Sequence, residues 1–384
     1  MIYVHVPFCR SFCTYCGFYS EVAPKCRQAA QASRQDELIG AYLTSLETEI
    51  AARRNEIDRV FASGDVNTLY IGGGTPSILS LPEFERLIEA IGRKGYSEFT
   101  VEVNPEDIVE QGADYVKGLL DLGVNRISMG VQSFDDEILK FMNRRHTSAQ
   151  AVQAYGILEK AGVENISIDL IFGLPQLSEQ KWTETINKAL NISSTVISPK
   201  HISAYQLSVE PDSMLETLIS KGRFEEASGE QCRKQYELLC EALSRAGYHH
   251  YEISNYGQPG YEARHNSAYW RNVPYVGLGP GAHSYIDNRR SWNVSSLESY
   301  VKAEDFSRIR ECEDLDKEQL AMERVMLGLR TSNGVEEEFL MAHCDRQAVE
   351  KAFENGHLLR TDGRRVRIPE SSFFISDNII GSII

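Results

Sequence analysis

Phe99-Thr100-Val101-Glu102-Val103-Asn104 splits into two faces, with Phe99, Val101 and Val103 on one and Thr100, Glu102 and Asn104 on the other. Period-two alternation of this kind marks a strand with one dry and one polar side. Two later stretches repeat it. In 126–133, Ile127, Met129 and Val131 oppose Ser128, Gly130 and Gln132; in 165–173, Ile168, Leu170 and Phe172 oppose Ser167, Asp169 and Ile171. Further extended runs stand at 3–6, 67–74 and 201–207. Helical patterns lie between them, such as 81–92 and 149–161, the latter closed by Gly162 as a C-cap. Strand starts roughly 25 to 40 residues apart predict βα units in a parallel sheet. A doubly wound sheet is covered on both faces and reads as continuous apolar runs. A polar face in three successive strands predicts instead a barrel-like sheet, helices outside and a ligand-holding interior.

Beyond Leu207 the alternation stops. Residues 229–247 read as one amphipathic helix, 248–256 as strand-like, and 257–292 as an aromatic and glycine-rich stretch. After Leu297 the pattern is mainly helical, with short alternations around 358–368. The tail is expected to form a small separate domain. The divisions expected are a barrel over 1–210, an extension capping it over 211–297 and a C-terminal domain over 298–384.

The chain has 384 residues, enough for two or three domains. Its 42% hydrophobic and 25% charged residues are ordinary for a globular protein. Forty basic against 55 acidic residues leave a formal charge of −15, which argues against a nucleic-acid partner. No apolar run approaches the roughly 20 residues of a membrane span, and Met1–Pro7 lacks the features of a signal peptide. A cytoplasmic protein is expected. An acidic chain is not drawn to an anionic lipid surface, so any peripheral membrane contact would need a protein partner.

Of eight cysteines, three are clustered in Cys9-Arg10-Ser11-Phe12-Cys13-Thr14-Tyr15-Cys16, a C-x3-C-x2-C spacing. The others, Cys26, Cys232, Cys240, Cys312 and Cys344, are scattered and read as buried or incidental thiols. Three thiolates on one loop suit an iron–sulfur cluster or zinc. A closed site wants four protein ligands, and the position two after Cys16 is Phe18. Three ligands leave a coordination position open. The alternative is a zinc knuckle completed by a distant histidine.

At this spacing the loop resembles the cluster motif of the radical S-adenosylmethionine (SAM) superfamily. The resemblance implies that Cys9, Cys13 and Cys16 hold a [4Fe–4S] cluster whose fourth iron is chelated by SAM. It also implies reductive cleavage of SAM to a 5′-deoxyadenosyl radical, and an electron donor to drive it. The implied fold is α/β, a (β/α)6 partial TIM barrel with a C-terminal α+β, winged-helix-like domain. Tyr70-Ile71-Gly72-Gly73-Gly74-Thr75-Pro76-Ser77 ends the second strand and is similar to the superfamily's SAM-binding glycine motif. Glycines there let a ligand approach bare backbone.

These segments resemble the coproporphyrinogen III oxidase-like branch, the HemN/HemW family, over nearly the whole chain. The resemblance implies SAM contacts by Tyr3, Gly73, Gly74, Thr75, Glu102, Gln132, Arg144 and Asp169, with Tyr15 near the adenine. Arg144 would pair the SAM carboxylate. Within the family, the oxygen-independent oxidase carries a further cysteine at the place of Phe18 and an added N-terminal arm. HemW-type haem chaperones carry the Phe variant, a short N-terminus and an H-N-x-x-Y-W motif, here His265-Asn266-Ser267-Ala268-Tyr269-Trp270. The second branch implies haem binding and delivery to respiratory haem proteins, and it points to a cluster-dependent homodimer. An imidazole can ligate haem iron and aromatic rings can cover a porphyrin, so His265, Tyr269 and Trp270 are candidate haem contacts. A structural histidine is the alternative. The glycine loop 275–284 could serve SAM, haem or plain turn geometry, and His283 is a secondary candidate ligand. The expected function is a haem chaperone; the alternative is a coproporphyrinogen III oxidase or another porphyrin-modifying radical enzyme.

Overall fold

The computed structural model describes residues 1–22, 29–62, 66–193, 198–361 and 363–384. Its centre is a run of parallel strands: β1 (Ile2–Val6), β2 (Thr68–Gly73), β3 (Glu98–Val103), β4 (Arg126–Gln132), β5 (Ile166–Phe172) and β6 (His201–Gln206). Each pairs in parallel with the next in sequence order. The pairs β7 (His249–Glu252) and β8 (Asn255–Gly257) extend the β6 edge antiparallel, and β9 (Val276–Leu278) joins β1 in parallel. Among the described residues the sheet runs β9-β1-β2-β3-β4-β5-β6-β8-β7 without closing on itself, so the barrel is partial.

The register explains why one face is polar throughout. Tyr70 sits beside Thr100, Thr100 beside Arg126, Glu102 beside Ser128, Gly130 beside Asp169, and Asp169 beside Ser203. Polar positions of neighbouring strands are therefore brought onto the same, inner face. The intervening positions Ile71, Val101, Met129, Ile168 and Ile202 are fully buried on the outer side. Helices cover that side. In Leu81–Ile91, Phe84, Leu87, Ile88 and Ile91 are buried at the spacing of a single helical stripe. Each such side chain contributes about 1.5–3 kcal/mol of burial. A capping box of Ser80 and Glu83 starts this helix, and Gly92 in the left-handed conformation (φ 68°) ends it. Ser148–Ala161 is built alike, from a Thr147–Gln150 capping box to Gly162 at φ 97°.

Two helices that the βα alternation did not signal, Ala29–Ala52 and Arg54–Ala62, lie between β1 and β2. They carry a buried ionic staple. Arg53 donates to Gly277 O at 2.6 Å and to Ser284 Oγ at 3.0 Å. Glu49, fully buried, accepts from Gly279 N at 2.9 Å, Asn293 Nδ2 at 2.8 Å and Tyr300 Oη at 2.7 Å. The second glycine loop is thus consumed in fastening β9 to the barrel; a Cβ on Gly277 would lie 1.9 Å from His283 O.

The stretch from 257 to 292 forms a short helix, Arg264–Tyr269, and most of an antiparallel sheet of His283–Ile286, Arg289–Asn293 and Arg310–Asp314. The tail contains Lys317–Leu329, Glu337–His343 and Arg346–Glu354, with a small sheet of Val335–Glu336, Leu359–Thr361 and Arg365–Arg367. That order of helix, strand, helix, helix and hairpin is winged-helix-like. Among the described residues no helix is long and apolar enough to cross a membrane. Cys232 is buried, Cys240 and Cys344 half-buried and Cys312 exposed, while Cys26 lies outside the described residues.

Candidate functional site

A chamber of about 1030 Å³ opens at the C-terminal ends of the strands. The cysteine loop leaves β1 and crosses this mouth. Arg10 pairs with Asp107 at 3.1 Å, and Thr14 N donates to Met142 O at 3.1 Å. On the other flank Leu215 N donates to Thr14 O at 2.8 Å. These anchors turn Cys9, Cys13 and Cys16 toward the chamber, whose walls all three line. Among the described residues no three of His, Cys, Asp and Glu converge on a single point.

Opposite the loop, a connected set of side chains reaches the sulfurs. Thr75 Oγ1 donates to Cys9 Sγ at 3.6 Å and accepts from Asn104 Nδ2 at 3.1 Å. Arg144 donates to Asn104 Oδ1, to Gly130 O at 2.7 Å and to Cys13 Sγ at 3.4 Å. Burial pushes the Cys9 thiol up and the Cys16 thiol to about 11. Without a metal these groups are neutral thiols near pH 7; binding iron displaces their protons.

Close packing accounts for the glycines of 72–74, against backbone at Gly74 and against side chains at Gly72 and Gly73. A Cβ on Gly74 would lie 2.6 Å from Phe8 O, and Gly73, at φ 110°, would bring one 2.6 Å from His5 Nδ1. The strand bearing the glycine motif can therefore lie directly beneath the cysteine loop. Glu102 accepts from Tyr70 Oη at 2.7 Å and from Gly73 N at 3.1 Å. Burial, the largest influence, raises its carboxyl to about 7, and the Asp169 charge adds to the shift. Asp169, held by Ser128 Oγ at 3.2 Å, is also raised by burial. Gln132 ends β4 just after a bulge and takes φ 66°, an uncommon conformation for a residue with a Cβ.

Eight of the nine SAM candidates share this chamber with the three cysteines: Tyr15, Gly73, Gly74, Thr75, Glu102, Gln132, Arg144 and Asp169. Tyr3 does not line it. Its hydroxyl meets His5 Nδ1 at 3.0 Å, and its ring borders an adjoining cavity of about 260 Å³ with Phe18, Gly73 and Glu102. Two residues of consequence were missed. Asn104, on the polar face already visible in 99–104, bridges Thr75 and Arg144. His5, on the polar face of β1, joins Tyr3 to the carbonyl of Tyr19 at 2.8 Å.

His265 does not line the chamber itself but borders the adjoining 260 Å³ cavity, together with Tyr269 and Phe18. Its helix packs on the N-terminal ends of β2 and β3, with the Glu98 carboxylate capping the amides of Arg264 and His265 at 2.8 and 2.9 Å. The ring is 1% exposed; Nδ1 meets Thr68 Oγ1 at 2.8 Å and Nε2 meets Tyr269 Oη at 2.9 Å. Both nitrogens are engaged. Burial holds the imidazole neutral, lowering it to about 3. Trp270 is half-buried at the end of that helix, and the exposed His283 stacks on Trp292.

Comparison with known proteins adds the family. Residues 3–189 match the radical SAM superfamily. The chain is 35% identical to heme chaperone HemW of Bacillus subtilis over 342 residues, 87% of this chain and 84% of that one. The chain belongs to the HemW family of radical SAM proteins. Heme chaperone HemW of Escherichia coli is 32% identical over 74% of this chain and 70% of its own. In three dimensions the HemW-family fold seen here matches coproporphyrinogen III oxidase (HemN) from Escherichia coli, with a TM-score of 0.76 and 21% identity over 99% of this chain and 89% of that one. The two chains therefore share one fold over nearly the whole length of this one.

Membership brings a [4Fe–4S] cluster and SAM, and the chamber's chemistry fits both. Three soft sulfur donors face it from one loop, as a cluster with an open iron requires. Arg144 Nε is buried without a hydrogen-bond partner among the described residues, a donor left over for an anionic group. Glu102 and Asp169 offer acceptors for ammonium and hydroxyl groups.

Proposed function

We propose that this chain is a haem chaperone: it binds haem and passes it to recipient haem proteins, respiratory ones among them. The supporting observation is the 35% identity, across 87% of the chain, to a protein named heme chaperone HemW. Phe18 in place of a fourth thiol agrees with this reading.

Within the chamber, Cys9, Cys13 and Cys16 would hold the cluster, and Gly73, Gly74, Thr75, Gln132, Arg144 and Asp169 would receive SAM, with Tyr15 beside the adenine. Bound together, the two groups supply reductive cleavage of a carbon–sulfur bond. Arg144 holds Cys13 and keeps a donor for a carboxylate; Glu102 accepts from an ammonium once its own proton has left. Tyr3 acts from behind the wall, through His5. The barrel division at 1–210, the extension to 297 and the tail from 298 are read as the units of this work, with an electron donor and a second copy of the chain as further partners. Any membrane contact would be peripheral, through a protein.

Anaerobic titration of the reconstituted protein with haem tests the reading. Saturable binding at equimolar haem, followed by transfer to an apo haem protein, is expected. Linear, non-saturating Soret absorbance would sink it, and conversion of coproporphyrinogen III under reducing, anaerobic conditions would replace it with the oxidase.

A further inference from the structure

We propose that haem sits on the rim of the chamber mouth, with the Met214 thioether as an axial iron ligand and Arg145 facing a propionate. This rests on the haem-binding reading above and assigns it a place.

A porphyrin needs apolar area for its ring, a donor for its iron and a cation for its carboxylates. The rim offers all three. Of the ten large hydrophobic residues that stand exposed among the described residues, four line this one opening: Phe12 (49%), Phe18 (72%), Tyr205 (42%) and Met214 (53%). Such concentration around a functional chamber marks a surface meant to be covered. The rim is also one hydrogen-bonded unit. Asn143 Nδ2 donates to Phe12 O at 2.6 Å, two residues before Arg145, and Leu215 N donates to Thr14 O at 2.8 Å, one residue after Met214.

The donor set decides the ligand. Among the described residues no histidine lines the chamber and Met214 is its only methionine, while His265 borders the adjoining cavity. His265, the sequence's candidate, is enclosed with both ring nitrogens bonded. Thioether sulfur is an established axial donor to haem iron. Charge decides the orientation. Arg145 is exposed at the mouth and makes no ion pair or hydrogen bond among the described residues, whereas Arg144 beside it is engaged. Glu210 and Asp212 line the segment that carries Met214, so a propionate is repelled there and directed to Arg145.

The test uses full-length, cluster-reconstituted protein titrated anaerobically with ferric haem, read by Soret absorbance and by electron paramagnetic resonance. Wild type is expected to bind saturably and to show a low-spin thioether-ligated iron. Met214→Ala should turn the iron high-spin, and Met214→His should restore a low-spin signal of a different type. Phe18→Asp should weaken binding about tenfold or more, and Arg145→Glu about fivefold. Met214 and Phe18 are exposed, so these variants fold; unchanged iron and sulfide content verifies it. If wild type binds saturably but the Met214, Phe18 and Arg145 variants match it, while His265→Ala alone alters the iron signal, this seat is wrong and haem binding stands. If wild type itself does not saturate, the haem-binding reading fails and the seat with it.

Discussion

Arg144 Nη1 lies 3.4 Å from Cys13 Sγ, joining positions 131 residues apart in the chain. The same guanidinium holds Gly130 O and Asn104, so one side chain couples the middle cluster cysteine to the ends of β3 and β4. The family resemblance implies that it pairs the SAM carboxylate. In the folded chain it is also a support for the cysteine loop.

Replacing it therefore has two consequences. Arg144→Met leaves the Asn104 and Gly130 acceptors without their partner, at a cost of about 3 kcal/mol. Urea denaturation should report that loss. Iron bound after reconstitution should fall, and SAM affinity with it. Full iron loading with only SAM affinity reduced would confine Arg144 to the ligand.

Gly74→Ala tests the close contact beneath the loop. The new Cβ would meet Phe8 O at 2.6 Å, backbone that cannot swing aside. The cysteine loop must shift, so the variant should fold yet retain less than half the wild-type iron and sulfide. Wild-type cluster content would show that the loop accommodates a methyl group.

His265→Ala removes both partners' hydrogen bonds, leaving Thr68 Oγ1 and Tyr269 Oη short of a contact inside the protein. A loss of about 2–4 kcal/mol is expected. Differential scanning calorimetry gives the readout. A variant as stable as wild type would show that the imidazole contributes nothing to the barrel floor.

The carboxyl of Glu102 gives a pH dependence with a definite sign. Burial raises it from an ordinary 4.5 to about 7, so between those values the folded chain holds a proton that the unfolded chain has released. Its contribution is fully present below the ordinary value and is lost as pH rises through 7. Cofactor-free protein should lose about 2 kcal/mol from this group between pH 5 and pH 7.5. Glu252, buried and raised to about 7 by the same cause, adds in the same direction. Glu102→Gln should flatten the slope; an unchanged slope in urea titrations at the two pH values would count against the raised carboxyl.

The strands, their polar faces and the cysteine loop were legible along the chain, because each is a local pattern. Alternation at period two needs only neighbours along the chain, and C-x3-C-x2-C lies within a single loop. The glycines of 72–74 and the helix cap at Gly162 were legible for the same reason. The long helix Ala29–Ala52 was not, since its buried stripe is diluted by polar residues and no strand signal frames it. Tertiary structure alone decided which groups meet. It set Arg144 on Cys13, closed both nitrogens of His265, and turned the second glycine loop into a fastening for β9 through Arg53 and Glu49. It also gathered Phe12, Phe18, Tyr205 and Met214 at one mouth. Such encounters depend on sheet register and on contacts between positions far apart in the chain, and no local period of the sequence carries that information.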